Sequence, residues 1–105
     1  MHEKTQQILQ KFALKVRQAY PNARIWAFGS HVRGVATPDS DLDIFVVLPQ
    51  MEPHDRFVVS DIAWEVGFAH DLHLSTVVVS EKDFEQGPVS VSPLVDAVRK
   101  EGVAA

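Results

Sequence analysis

The sequence predicts a small α/β domain in which a mixed sheet of three to four strands is covered by helices. Three observations carry that expectation. Helical and extended patterns alternate along the chain, Gly or Pro closes most of them, and "DLDIFVVL" (41–48) runs apolar to its end. From Glu3 to Tyr20, apolar residues fall at Ile8, Leu9, Phe12, Ala13, Val16 and Tyr20, which is the stripe of an amphipathic helix, and Pro21 ends it. "ARIWAF" (23–28) is short, aromatic and β-branched and stops at Gly29, as a strand does. "SHVRGVATPDS" reads as a turn or single helical turn and then loop, broken by Gly34 and Pro38.

The run 41–48 is the strongest strand in the chain, and its unbroken apolar tail predicts burial on both faces. Residues 54–70 carry Phe57, Val58, Ile62, Ala63, Val66 and Ala69 at intervals of three and four, predicting a second long helix. "LHLSTVVVS" (72–80) is β-rich and makes a third strand. An acidic turn, the Gly87-Pro88 break and a helix from Pro93 to about Lys100, closed by Gly102, complete the chain.

Composition sets the outer limits. A chain of 105 residues, 46% hydrophobic and 23% charged, is expected to form one domain over 1–105. The absence of cysteine excludes disulfides and thiolate metal sites. No apolar stretch is long enough to span a bilayer, and "MHEKTQQILQKF" lacks the hydrophobic run of a signal peptide, so a cytoplasmic protein is expected. A net charge of −4 argues against wrapping long nucleic acid, yet an Arg or two can still meet one triphosphate.

The chemistry lies in "FGSHVRGVATPDSDLDIFVV" (28–47). Strand side chains alternate faces, so Asp41 and Asp43 project together and Leu42 points away. Taken alone, such a pattern reads first as solvated turn residues beside Pro38 and Ser40. Two carboxylates this close otherwise need a cation or a proton between them, and Mg²⁺ is held by one or two carboxylates with water and phosphate oxygens around it. The upstream segment strengthens the second reading. A Gly-Ser at a strand's carboxyl end, followed by a turn, offers backbone N–H groups to phosphate, with Gly29 permitting close approach, Ser30 donating a hydroxyl bond and Arg33 supplying a guanidinium fork. Gly29 and Asp41 share an edge only if the two strands run antiparallel, which is the pairing expected.

"GSHVRGVATPDSDLD" resembles the signature of the nucleotidyltransferase superfamily that includes DNA polymerase beta, and more narrowly that of the minimal nucleotidyltransferases. Gly29, Ser30, Arg33, Gly34, Ser40, Asp41 and Asp43 all match that pattern. The resemblance implies transfer of a nucleoside monophosphate from a triphosphate, usually ATP, to a hydroxyl with release of pyrophosphate. It implies that Asp41 and Asp43 are catalytic and hold Mg²⁺, while Gly29, Ser30, Arg33 and Ser40 bind the nucleotide. It further implies a helical HEPN toxin as partner, with this chain as an antitoxin that attaches AMP to a protein hydroxyl. Self-association and hetero-assembly are both compatible with the sequence.

One departure stands against full activity. Active members of the superfamily carry a third carboxylate on a later strand, whereas "LHLSTVVVS" holds no acid and offers Ser75 or Thr76 there. Asp71, just before it, could stand in as the third acid only if the strand began earlier than read, and otherwise reads as a helix-to-strand turn residue. An alternative is therefore a weak or inactive nucleotide-binding antitoxin that neutralises a HEPN partner by occlusion. A small-molecule nucleotidyltransferase similar to the aminoglycoside-modifying enzymes is a third reading, although those carry an additional acceptor domain. His31, His70 and His73 read as surface or loop residues and Asp39 as part of the turn. Trp26 and Trp64 read as core, with a partner surface the second choice for Trp64.

Overall fold

The computed structural model describes all 105 residues. Helix α1 (Glu3–Ala19) is followed by β1 (Arg24–Phe28), a single helical turn α2 (Ser30–Arg33), β2 (Leu42–Leu48), α3 (Asp55–His70) and β3 (Leu74–Ser80). A short α4 (Glu81–Glu85), a 3-10 turn (Pro88–Val91), α5 (Pro93–Glu101) and a two-residue β4 (Val103–Ala104) complete the chain. The sheet order is β3-β2-β1-β4, with β1 antiparallel to both β2 and β4, and β2 parallel to β3. The expected mixed sheet and antiparallel β1–β2 pairing are therefore present.

The differences from expectation are local. β2 starts at Leu42 rather than Asp41, and β3 starts at Leu74 rather than Leu72, because Asp71 caps α3 in the left-handed region (φ 53) and Leu72 bonds back to the Gly67 carbonyl. The acidic turn 81–85 is helical, since the Ser80 hydroxyl accepts from the Asp83 N–H at 3.2 Å and so caps it. β4 lies where only an end was read, and Arg17 holds the C-terminus there through a 2.8 Å bond to the Ala105 carbonyl.

β2 divides the interior into two cores. Leu42, Ile44, Val46 and Leu48 face α1 and α3, meeting Leu9, Phe12, Val16, Val59 and Val66. Phe45 and Val47 face the other way, onto Phe84, Val95 and Val98 beneath α4 and α5. All seven β2 residues except Asp43 are buried, as an apolar strand sandwiched by helices requires. Trp26 belongs to the second core but is only half-buried, stacked on Phe84 at 5.5 Å between ring centroids. Trp64 is the clear exception to the predicted core. It stands 67% exposed on the outer face of α3, because the turn of the helix that meets the sheet is occupied by Val59, Ala63 and Val66.

One polar contact joins the end of α1 to the start of α3. Tyr20 donates its hydroxyl to Asp55 Oδ1 at 2.7 Å, and the Glu52 N–H donates to Asp55 Oδ2 at 2.7 Å. These bonds hold the Asp55 carboxyl below its ordinary range, the backbone donor contributing most. Burial, and then the bond to Asp55, push the Tyr20 phenol up to about 12. The lowered acid adds stability above the usual carboxyl range that is lost as pH falls through it, and the raised phenol adds stability below pH 10 that is lost toward 12. Denaturant titration of Tyr20→Phe is expected to show a lower midpoint at neutral pH, because the hydrogen bond to the charged Asp55 carboxylate is lost. The deficit should shrink at acid pH, where Asp55 is protonated.

Candidate active site

The antiparallel pairing aligns Phe28, the last residue of β1, with Asp43. The chain turns sharply at Gly29 and enters α2, so the start of β2 and the first turn after β1 occupy one end of the sheet. Gly29 has φ 81 and ψ −154, a region open in practice to glycine alone. A Cβ there would also collide with Asp43 Oδ2, so the missing side chain is what lets the backbone lie against the carboxylate. Gly34, at φ 75, closes α2 in the left-handed region. A helical turn this short leaves the N–H groups of Ser30, His31 and Val32 without intrahelical partners.

Asp43 is half-buried and Asp41 exposed. Burial, and then the charge of Asp41, push the Asp43 carboxyl above its ordinary value, while His31 and Arg33 pull it back. The site is thus built with a negative charge it holds at a cost. Arg33 is half-exposed, with Nη1 3.9 Å from Glu101 Oε2 of α5. His31 does more than a solvated loop residue: its Nε2 lies 2.9 Å from the Ser40 carbonyl and ties α2 to the loop leading into β2. The Ser40 hydroxyl accepts from the Thr37 N–H at 2.9 Å, so its observed contacts are within that loop.

Sequence reasoning read His73 as a surface residue, and the structure places it beside Asp41. Parallel register places Asp43 beside Ser75, and the same alternation carries Asp41 to His73, whose Nδ1 lies 3.1 Å from Asp41 Oδ2. No acid of β3 reaches this edge, and Asp71 remains the cap of α3. The signal in the sequence was a His two residues before the serine that faces Asp43, legible only once the strand register is known. No group of three or more His, Asp or Glu side chains converges on one point.

The family model described as nucleotidyltransferase domain matches residues 9–100. The chain belongs to that family. A Methanocaldococcus jannaschii protein whose assignment as a protein adenylyltransferase is provisional is 31% identical to this nucleotidyltransferase domain over 93 residues, covering 84% of the chain. The chain spans only 62% of that relative's length. Among solved structures, a toxin-antitoxin complex with AMP-PNP matches with a TM-score of 0.58 at 20% identity, over 89% of this chain and 68% of the other. An MNT antitoxin complex with the tri-AMPylated HEPN toxin of Shewanella oneidensis matches at 0.54 and 21%, over 94% and 70%. A Sulfolobus solfataricus protein assigned provisionally as a nucleotidyltransferase gives 0.53 at 18%, over 93% and 76%. At these identities the three structures share the fold of this nucleotidyltransferase domain.

The Asp43 environment has a measurable signature. A carboxyl held above its ordinary pKa lowers stability as pH rises through that value. Asp43→Asn is therefore expected to raise the thermal midpoint at pH 7, with the gain vanishing as pH falls below the usual carboxyl range. Gly29→Ala should lose about 1–3 kcal/mol from backbone strain alone. Ser30→Ala, measured in the same denaturant series, should lose far less.

Proposed function

We propose that this chain transfers AMP from ATP to a hydroxyl of a partner protein, and that it serves as the antitoxin of a helical HEPN toxin. The observation that carries the reading is the convergence of Asp41 and Asp43 with the Gly29–Arg33 turn at one sheet end. Oxygen donors of this kind suit a hard cation, and the raised Asp43 carboxyl marks a site that gains from one. Asp41 and Asp43 would hold Mg²⁺, which when bound offsets charge on the phosphates. The free N–H groups and hydroxyl at the start of α2, with the Arg33 guanidinium, take the β and γ phosphates and hold the α-phosphorus at the carboxylates.

The acceptor oxygen then forms a bond to the α-phosphorus as the bond to the β-phosphate oxygen breaks. Pyrophosphate leaves, and the acceptor proton passes to solvent or a nearby base. Nucleophile and leaving group lie on opposite sides of phosphorus, so phosphates held at β1 direct the acceptor toward β3 and His73. His73 is a positioning residue here, steadying Asp41 through the 3.1 Å contact.

The lack of an acid on β3 favours a second reading, in which the pocket binds nucleotide but neutralisation comes from occluding the toxin. ATP labelled at the α-phosphate, with Mg²⁺ and the HEPN partner, is expected to label the partner and not this chain. Asp41→Asn with Asp43→Asn should reduce labelling by at least a hundredfold, in line with lost electrostatic stabilisation worth about 10²–10³. If that double variant still protects cells fully from the toxin, occlusion suffices and the catalytic reading of neutralisation falls.

A further inference from the structure

The reaction edge leaves one large feature unused: the outer seam between α3 and β3. Phe57, Trp64 and Phe68 stand 72%, 67% and 76% exposed along α3, with Trp64 and Phe68 stacked at 5.1 Å. Two open wedges of about 460 Å³ each lie along this seam. One, near the start of β3, is walled by Trp64, Phe68 and Leu74, and the other, near its end, by Arg56, Phe57 and Val79. β3 is an edge strand with seven residues in unbroken register with β2 on its other side. It carries none of the features that blunt an edge, being free of charge, Pro, Gly and bulge.

We infer that this seam is a self-association surface, and that its occupant is a second copy of the chain. A twofold axis perpendicular to the sheet pairs β3 antiparallel with β3 of the partner and joins two four-stranded sheets into one. Antiparallel pairing sets the start of one β3 beside the end of the other. Trp64 and Phe68 of each copy then meet Phe57 of its partner, so each aromatic group enters the opposite wedge. Charge follows the same symmetry. Arg56 stands at one end of the seam and Asp71 at the other, both exposed and neither in an ion pair within the chain, so the arrangement brings them together twice.

The exposed aromatics supply a large part of the area an interface needs. A covered aromatic side chain buries about 150–250 Å², so three that are roughly 70% open supply about 300–500 Å² per copy. A stable interface needs about 800 Å² per partner, so the strand edge and the wedge walls have to bury the remainder. The free edge selects an extended partner over a helix, because only a strand satisfies its outward N–H and C=O groups. The two reaction edges lie at opposite ends of the joined sheet, and the first wedge shares His73 with the reaction edge, so each seam ends beside a proposed transfer site.

Sedimentation equilibrium over a concentration series is the test. The chain should sediment at twice its 11.7 kDa mass. Trp64→Glu should sediment as monomer while keeping its far-UV dichroism and a cooperative thermal transition whose midpoint no longer depends on concentration, since the side chain packs on no core. Arg56→Glu should raise the dimer dissociation constant at least tenfold, and Arg56→Glu with Asp71→Lys should recover most of it. Phe68→Ser, which keeps the charge, guards against an effect of the new Glu and should also weaken the dimer. A chain that is monomeric throughout the series overturns the inference. So does a dimer indifferent to Trp64→Glu and Phe68→Ser, or a seam covered only on addition of a helical partner.

Discussion

The antiparallel pairing of β1 with β2 is the constraint on which the site depends. It puts the exit of one strand beside the entrance of the next, with Phe28 facing Asp43, so a backbone turn and two carboxylates meet. Nothing local to either segment achieves this. The pairing is held by burial of β2 on both faces, where Leu42, Ile44, Val46 and Leu48 enter one core and Phe45 and Val47 the other. A strand so placed cannot slip by a single residue without exchanging its two side-chain sets, and register is thereby specified.

That rigidity lets the sheet end carry an unfavourable group. Asp43 is pressed by burial and by Asp41, and the backbone that fits against it is a turn at Gly29 that only glycine adopts without strain. The charge on Asp43 costs stability in the isolated chain, and both features suit a site that gathers phosphate and cation. His31 and Arg33 temper the charge from α2 without cancelling it. The aromatic cluster of Trp26, Phe45 and Phe84, with Arg99 4.3 Å above the Phe84 ring, supports this face from below.

β3 gives the domain its individual character. It is parallel to β2 and brings Ser75 and His73 level with Asp43 and Asp41, where related enzymes are expected to carry an acid. Its other edge is bare and lies beside the exposed aromatics of α3. One strand thus borders both the reaction edge and the seam assigned to self-association, on opposite sides of its backbone.

The order of elements, the double burial of β2 and the meeting of Gly29 with Asp41 and Asp43 were legible in the sequence. They follow from periodicity, Gly and Pro punctuation and a motif whose parts are close along the chain. The exposure of Trp64, the role of His73 and the strand β4 were not legible. Helical spacing says which residues share a stripe, but Trp64 and Val66 both fit an apolar pattern, and only the direction in which α3 meets the sheet decides which is covered. His73 touches Asp41 through a parallel register set by a helical crossover, and β4 exists because Arg17 and β1 hold the chain end. Local patterns are written in neighbouring residues. Contacts between residues far apart along the chain depend on packing, which no short stretch of sequence contains.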